Sequence, residues 1–310
     1  VQATDKSGAA IRGLQKEDFS LFDDKQAQPI VSFQAVDSAA TAEPLEVVLV
    51  IDAVNASFDT VSYARSQIRK FLLQNNGELP QPVALVVFTD DGTKVQQAAS
   101  RDGKALAEAY DQIETGLRTS TRAQGFYGAS DRFQMSLKAI HDLTAYEASR
   151  PGRRLMVWIS PGWPLLTGPN IELTDKEEHQ IFNSIVGFST ELREARVTLY
   201  AIDPLGLADA GGTRITYYQE FLKGVSVPSR AEPANVSLQV LATQSGGRVL
   251  NSTNDLTASI ATCVADAAYY YVLSFNAPRA DHADEYHSLE VKVDKPKVEA
   301  RTRTGYYAQP

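Results

Sequence analysis

Residues 47–52 read Val47-Val48-Leu49-Val50-Ile51-Asp52, an unbroken run of β-branched residues and leucine that stops on an acid. No position before the acid is polar, so neither face of the strand it forms looks to water. A strand covered on both sides has this pattern, as in a parallel sheet between two layers of helices. Working outward, the same signature returns as Val83-Ala84-Leu85-Val86-Val87-Phe88 before Thr89-Asp90-Asp91-Gly92, as Leu155-Met156-Val157-Trp158-Ile159 before Ser160-Pro161-Gly162, and as residues 197–202 before Asp203-Pro204. Between the first two runs the period changes. Phe58, Val61, Ala64, Ile68, Phe71 and Leu72 line one face of a helix over 58–73. Further helices are expected at 103–117, 131–146, 175–195, 235–245 and 254–268, the last two around a short strand at Arg248-Val249-Leu250. Strands alternating with helices of this length predict an α/β fold over residues 44–268, a doubly wound and mainly parallel sheet with helices on both faces.

The flanks are different. Asp5-Lys6-Ser7-Gly8 and Asp23-Asp24-Lys25 are turn signals, and Phe19 and Leu21 alternate with polar neighbours as in a half-buried strand. Asp37 to Glu43 is rich in Ala and Ser and reads as a linker. From residue 269 strands return at 269–275, 288–293 and 298–307. Residues 1–43 and 269–310 are expected to pair as a small β-domain beside the α/β unit.

Composition narrows the function. The chain has 310 residues, 43% of them hydrophobic and 22% charged, which suits one large soluble domain or two unequal ones. No stretch approaches the roughly 18 consecutive apolar residues of a membrane span. A net charge of −8 argues against a general nucleic-acid binder. Cys263 is the only cysteine, so no intrachain disulfide can form. His282 and His287 stand beside Asp281, Asp284 and Glu285, either a metal patch or a solvated acidic loop, and the second reading is preferred. No signal peptide is visible, and the opening Val1-Gln2-Ala3 reads as that of a processed or trimmed product.

In open α/β sheets ligands bind beyond the carboxyl ends of the strands. Those ends carry Asp52, Thr89-Asp90-Asp91, Ser160-Pro161-Gly162 and Asp203. With this order of elements and an apolar strand ending on an acid, residues 47–268 resemble a von Willebrand factor A domain. That resemblance implies a metal-ion-dependent adhesion site, in which Asp-x-Ser-x-Ser, a threonine and a second aspartate hold a hard cation through oxygen. Here Asp52 matches the first aspartate, but Val54 and Ala56 stand at the two serines, Ser130 at the threonine and Pro161 at the second aspartate. Asn55, Ser57, Asp59 and Asp90 are near enough to be recruited by a rearranged loop. The expectation is a vestigial metal loop made of Asp52, Asn55, Ser57, Asp59, Asp90 and Ser130, with no metal and no other cofactor. The same residues also suit plainer roles: Asp52 accepting backbone N–H bonds, Ser130 and Asp131 capping a helix, Asp90-Asp91-Gly92 forming a turn.

The ends sharpen the resemblance. Val1-Gln2-Ala3-Thr4-Asp5, Gly13-Leu14-Gln15-Lys16-Glu17-Asp18-Phe19 and Pro29-Ile30-Val31-Ser32-Phe33, with Tyr270-Tyr271-Val272-Leu273 and Thr304-Gly305-Tyr306-Tyr307, are similar to von Willebrand factor A-related proteins of Acidobacteria. That implies an extracytoplasmic location and no known chemistry. Catalytic signatures such as Gly-x-Ser-x-Gly, His-Glu-x-x-His or a phosphate-binding glycine loop are absent from the sequence. The expected function is therefore a non-catalytic protein-binding or scaffold module whose partner is another protein. Contacts are expected at Phe126, Tyr127, Trp163, Leu165 and Leu166, read as exposed residues flanking the vestigial loops. The alternatives are metal-dependent adhesion through a rearranged Asp52 site, a hydrolase using Asp52 and Asp203, and a structural module of an envelope assembly.

Overall fold

The computed structural model describes residues 1–38, 45–95, 98–112, 125–166, 172–206 and 217–310. The chain opens with four short strands, β1 (Gln2–Thr4), β2 (Phe19–Asp23), β3 (Gln26–Gln28) and β4 (Ser32–Asp37). The α/β unit follows: β5 (Leu45–Asp52), α1 (Phe58–Leu72), β6 (Glu78–Thr89), β7 (Gly92–Val95), β8 (Ser100–Asp102), α2 (Gly103–Gln112), α3 (Phe126–Ala148), β9 (Arg153–Ile159), α4 (Asp175–Glu194), β10 (Val197–Ile202), α5 (Leu238–Gln244), β11 (Val249–Leu250) and α6 (Leu256–Asp266). It closes with β12 (Tyr269–Ser274), β13 (Glu285–Val293), β14 (Glu299–Arg301) and β15 (Gly305–Ala308).

The central sheet runs in the order β11-β10-β9-β5-β6-β7, with β8 also on β6. The pairs among β11, β10, β9, β5 and β6 are parallel. Strand β5 lies in the middle and all eight of its residues are buried. Its alternate side chains feed two cores. Val47, Leu49 and Ile51 meet Ile68 of α1, Leu106 of α2 and Ile260 of α6 on one face. Val48 and Val50 meet Phe133 and Ile140 of α3, Ile185 of α4 and Leu241 of α5 on the other. Full burial of each such side chain contributes about 1.5–3 kcal/mol. The fold is the expected one, a mainly parallel α/β sheet covered on both faces.

Strands β7 and β8 are additions that the apolar pattern did not show; both run antiparallel to β6. Asp90 and Asp91 form the turn of the β6–β7 hairpin, and Gly92 follows at φ +104°. Helix α3 begins at Phe126, five residues earlier than predicted, behind Gly125 as N-cap. Ser130 and Asp131 therefore sit inside the helix and cap nothing. Of the predicted helix at 103–117, residues 113–117 lie outside the described residues, as do 39–43 of the predicted linker.

The terminal strands pair with one another. β4 runs antiparallel to β12 with Asp37 opposite Tyr269 and Ser32 opposite Ser274, β1 pairs with β14, and β15-β13-β2-β3 form a four-stranded sheet. Phe19, Phe33 and Tyr271 pack their rings together with centroids 5.0–5.7 Å apart. The Tyr271 hydroxyl also donates to the Ile11 carbonyl at 2.8 Å. The single strand predicted over 298–307 is two strands. Between them Arg303 reaches across to the carbonyls of Leu192 and Val197 at 3.0 and 3.1 Å.

A buried polar clamp ties α3 to the amino ends of β5 and β9. Arg154, 2% exposed, donates its Nε–H to Glu147 at 2.7 Å. Arg150 forks onto both oxygens of Glu46 at 2.9 Å and also reaches Glu147 at 3.1 Å.

Candidate functional site

The strand-end site centres on Asp52, the last residue of β5 and 1% exposed. Four N–H groups surround its carboxylate. The backbone amides of Val54 and Asn55 donate to Oδ1 at 3.0 and 2.9 Å. The Asn55 side-chain amide and the Trp158 indole donate to Oδ2 at 2.9 and 3.1 Å. Burial raises the Asp52 pKa above the ordinary carboxylate value, and the bonds from Asn55 and Trp158 oppose that rise. Asn55 is held in turn by a 2.9 Å bond from its amide to the Ser136 hydroxyl on α3.

The positions that the resemblance assigns to a metal offer few side-chain oxygens to a hard divalent cation. Such an ion needs six or more oxygen ligands with negative charge among them. Asp52 instead faces four N–H donors, which supply the positive ends a cation would supply. Val54 and Ala56 are buried and have no side-chain oxygen. Ser57 is the N-cap of α1, accepting the Thr60 amide at 3.2 Å and sharing a 2.7 Å bond with the Thr60 hydroxyl. Asp59 is exposed in the first turn of α1, a favourable place for an acid, and Asp90 is in the hairpin turn. One buried oxygen nearby, Asn55 Oδ1, has no hydrogen-bond partner. Asp203 accepts the Leu205 amide at 2.9 Å. It directly follows β10, two strands from β5, which puts the strand axes about 10 Å apart.

Beside this loop, α3 and α4 frame a groove of about 810 Å³ walled by Phe133, Leu137, Leu166, Ile181 and Val236, with Phe126 and Ser130 near its α3 end and Glu172 and Glu177 on its rim. Phe126 is 56% exposed and Tyr127 83%, their rings edge to face at 6.1 Å. Leu165 and Leu166 are half-buried. The structure thus brings Phe126, Ser130 and Leu166 to one groove, with Tyr127 beside them.

Trp163 is a correction. It was expected among the exposed contacts, but it is 2% exposed and packs edge-on against Trp158 with centroids 5.4 Å apart. Gly162, at φ +105°, turns the chain inward ahead of it. The acidic-loop reading of His287 is also corrected. His287 is buried and bonds through Nδ1 to Asp23 of β2 at 2.8 Å, and the Tyr306 hydroxyl donates to the other Asp23 oxygen at 2.6 Å. His282 bonds to its neighbour's carbonyl, that of Ala283. No spacing rule reveals the Asp23 partnership, because it depends on the register of β2 against β13. The Trp158 indole is the other contributor that was missed; in sequence it is one more apolar residue of a core strand. Among the described residues no helix is long and apolar enough to cross a membrane.

No protein-family model and no curated protein matches the sequence. Similar solved structures include proximal thread matrix protein 1 from the mussel byssus, at 14% identity over 79% of this chain and 50% of that chain with a TM-score of 0.38. They also include BatB from Bacteroides thetaiotaomicron, at 14% identity over 73% and 99% with a TM-score of 0.37. A third is the manganese-loaded TRAP protein of Plasmodium vivax, at 11% identity over 90% and 98% with a TM-score of 0.36. The chain spans half the length of the mussel protein. At these values the likenesses carry no argument about ligand, metal or partner. The fold class, a mainly parallel α/β sheet with the terminal strands paired beside it, stands on the strand order and pairings above.

Proposed function

We propose that this chain is a non-catalytic protein-binding module that takes its partner at the groove between α3 and α4 and needs no metal ion to do so. The observation that carries this reading is the pair Phe126 and Tyr127, 56% and 83% exposed, beside a groove of about 810 Å³ with apolar walls. Large aromatics left in water next to an apolar recess suit the buried centre of a protein interface. Glu172 and Glu177 on the rim favour a partner segment with an apolar face and basic edges. The donors around Asp52 support a degenerate adhesion site in which hydrogen bonds do what a cation does elsewhere. The distance between the β5 and β10 ends speaks against an acid–base pair of Asp52 and Asp203. Membership of the acidobacterial subgroup and an extracytoplasmic location rest on the terminal motifs alone.

A photo-crosslinking amino acid in place of Tyr127 is expected to trap one partner species from native extract. The same probe in place of Tyr146, 48% exposed near the other end of α3, is expected not to trap it. Leu166→Asp should abolish the Tyr127-position adduct and leave the far-ultraviolet circular dichroism unchanged. Equal trapping at both positions would move the interaction surface elsewhere.

A further inference from the structure

We propose that the cavity where the amino ends of β9 and β10 meet β12 and residues 301–303 is a second binding site, for a multiply charged oxyanion of the phosphoryl class. It lies at the end of the sheet opposite Asp52, and its volume is about 740 Å³. Arg153, Arg193, Arg196, Arg301 and Arg303 all line it, in a chain whose net charge is −8. Five guanidinium groups on one cavity of an acidic protein are a local concentration, not a general basicity.

The partners of each arginine decide how much of that charge is free. Arg301 is neutralised by Asp266 at 2.6 Å. Among the described residues Arg193 pairs with Glu194, at 3.7 Å, with both side chains well exposed and the pair screened by water. Arg153 donates through Nη2 to the Thr198 hydroxyl at 3.1 Å and stacks on the Tyr270 ring at 4.2 Å. Its Nη1 is buried with no hydrogen-bond partner. Arg303 spends Nη2 on two carbonyls, a tie for the end of α4, and has no acid partner among the described residues. Arg196, at φ +55° in the turn from α4 into β10, has no side-chain partner among the described residues. Arg153, Arg196 and Arg303 therefore bring three positive charges to the cavity with no carboxylate among them.

Enclosed like charges repel, and the strain registers on Arg303. The Arg303 pKa is pushed down to about 10, first by burial and then by Arg153 and Arg193. An anion among these groups removes that penalty and satisfies the orphaned Nη1 of Arg153. The three guanidinium groups belong to three segments: the start of β9, the α4–β10 turn and the β14–β15 link. A carboxylate offers two oxygens in one plane, whereas a tetrahedral dianion offers oxygens on every side. The cavity has room for more than an inorganic ion, so a phosphate ester suits it.

Pyrophosphate is the probe, titrated into the whole chain by calorimetry. Saturable heat is expected with a Kd below about 1 mM. Binding should weaken at least about tenfold in Arg153→Gln combined with Arg196→Gln, since each removes a charged donor. Lys138→Gln, which breaks an exposed pair with Asp142, should change nothing. Arg196→Gln alone, at an exposed position, keeps the test valid should the double variant misfold. Succinate at matched ionic strength should compete poorly. Sedimentation with phosphatidic acid vesicles separates the sources of the phosphoryl group: capture that the variants abolish assigns it to a lipid headgroup, and no capture assigns it to a soluble ester. No saturable heat, unchanged affinity in the variants, or succinate competing as well as pyrophosphate would overturn the proposal.

Discussion

Glu147→Gln is expected to lower folding stability by about 3–5 kcal/mol, because it leaves the buried Arg154 without the carboxylate that receives its Nε–H. The neighbours give no easy relief. Arg154 is 2% exposed, and its distance to the other acid, Glu46, is 3.7 Å. Glu46 is already taken by both nitrogens of Arg150. For a chain of this size a loss of this magnitude lowers the melting temperature by about 5–8 °C. Guanidinium unfolding followed by tryptophan fluorescence will measure it. Glu147→Leu combined with Arg154→Met should cost much less than the single change, since no buried charge is stranded and the Arg150–Glu46 fork survives. A single variant within about 0.5 kcal/mol of wild type would show that the clamp is solvated and carries little.

Asp52→Asn is the second large effect, expected to cost about 2–4 kcal/mol at neutral pH because at least one buried N–H donor then meets an NH₂ group. The pH dependence has a definite sign. Burial raises the Asp52 pKa in the folded state. Between the unfolded and the raised folded pKa, the folded state binds more protons, so wild-type stability from this group falls as pH rises through that window. The asparagine variant lacks that titration. Its deficit relative to wild type should therefore widen as pH is lowered through the same window. In parallel, titration of Mg²⁺, Mn²⁺ and Ca²⁺ into wild-type protein is expected to give no saturable heat. Sub-millimolar binding that disappears in Asp52→Ala would restore metal-dependent adhesion as the mechanism.

The α/β unit was legible because period and length are local properties. The run ending at Asp52 has the pattern of a doubly covered strand, and Ile68 and Ile140 lie on the apolar faces of helices that can pack on it. The site was legible in part. Asp52 was visible as the acid at a strand end, and acceptance of backbone N–H bonds was among the roles it suits. The Trp158 indole aimed at it was not, because a tryptophan in an apolar run gives no sign of where its one polar atom points. Trp163 failed for a related reason: Ser160-Pro161-Gly162 looks like a surface loop, and only the packed Trp158 ring shows that the chain dives inward after it. His287 and Asp23 are 264 residues apart, so their pairing depends on register between strands from opposite ends of the chain. The arginine cavity is hidden in the same way, assembled from residues of β9, the α4–β10 turn and the β14–β15 link.

The pairing of β4 with β12 also sets the order in which the molecule can assemble. Ser38 bonds through its hydroxyl to the carbonyl of Ala268, 230 residues away. Ribosomes add about 5–20 residues per second, so β4 waits roughly 10–50 s for its partner to be made. During that time β4 is unpaired and β2 has only β3 beside it, so both keep an edge open to association with other chains. Closing so long a loop as a random coil is slow. Folding of the intervening α/β unit holds residues 45 and 267 within one body and so does most of the closing before β12 arrives. Assembly runs from the inside out, and the β4–β12 ladder zips only on a chain whose centre is already folded.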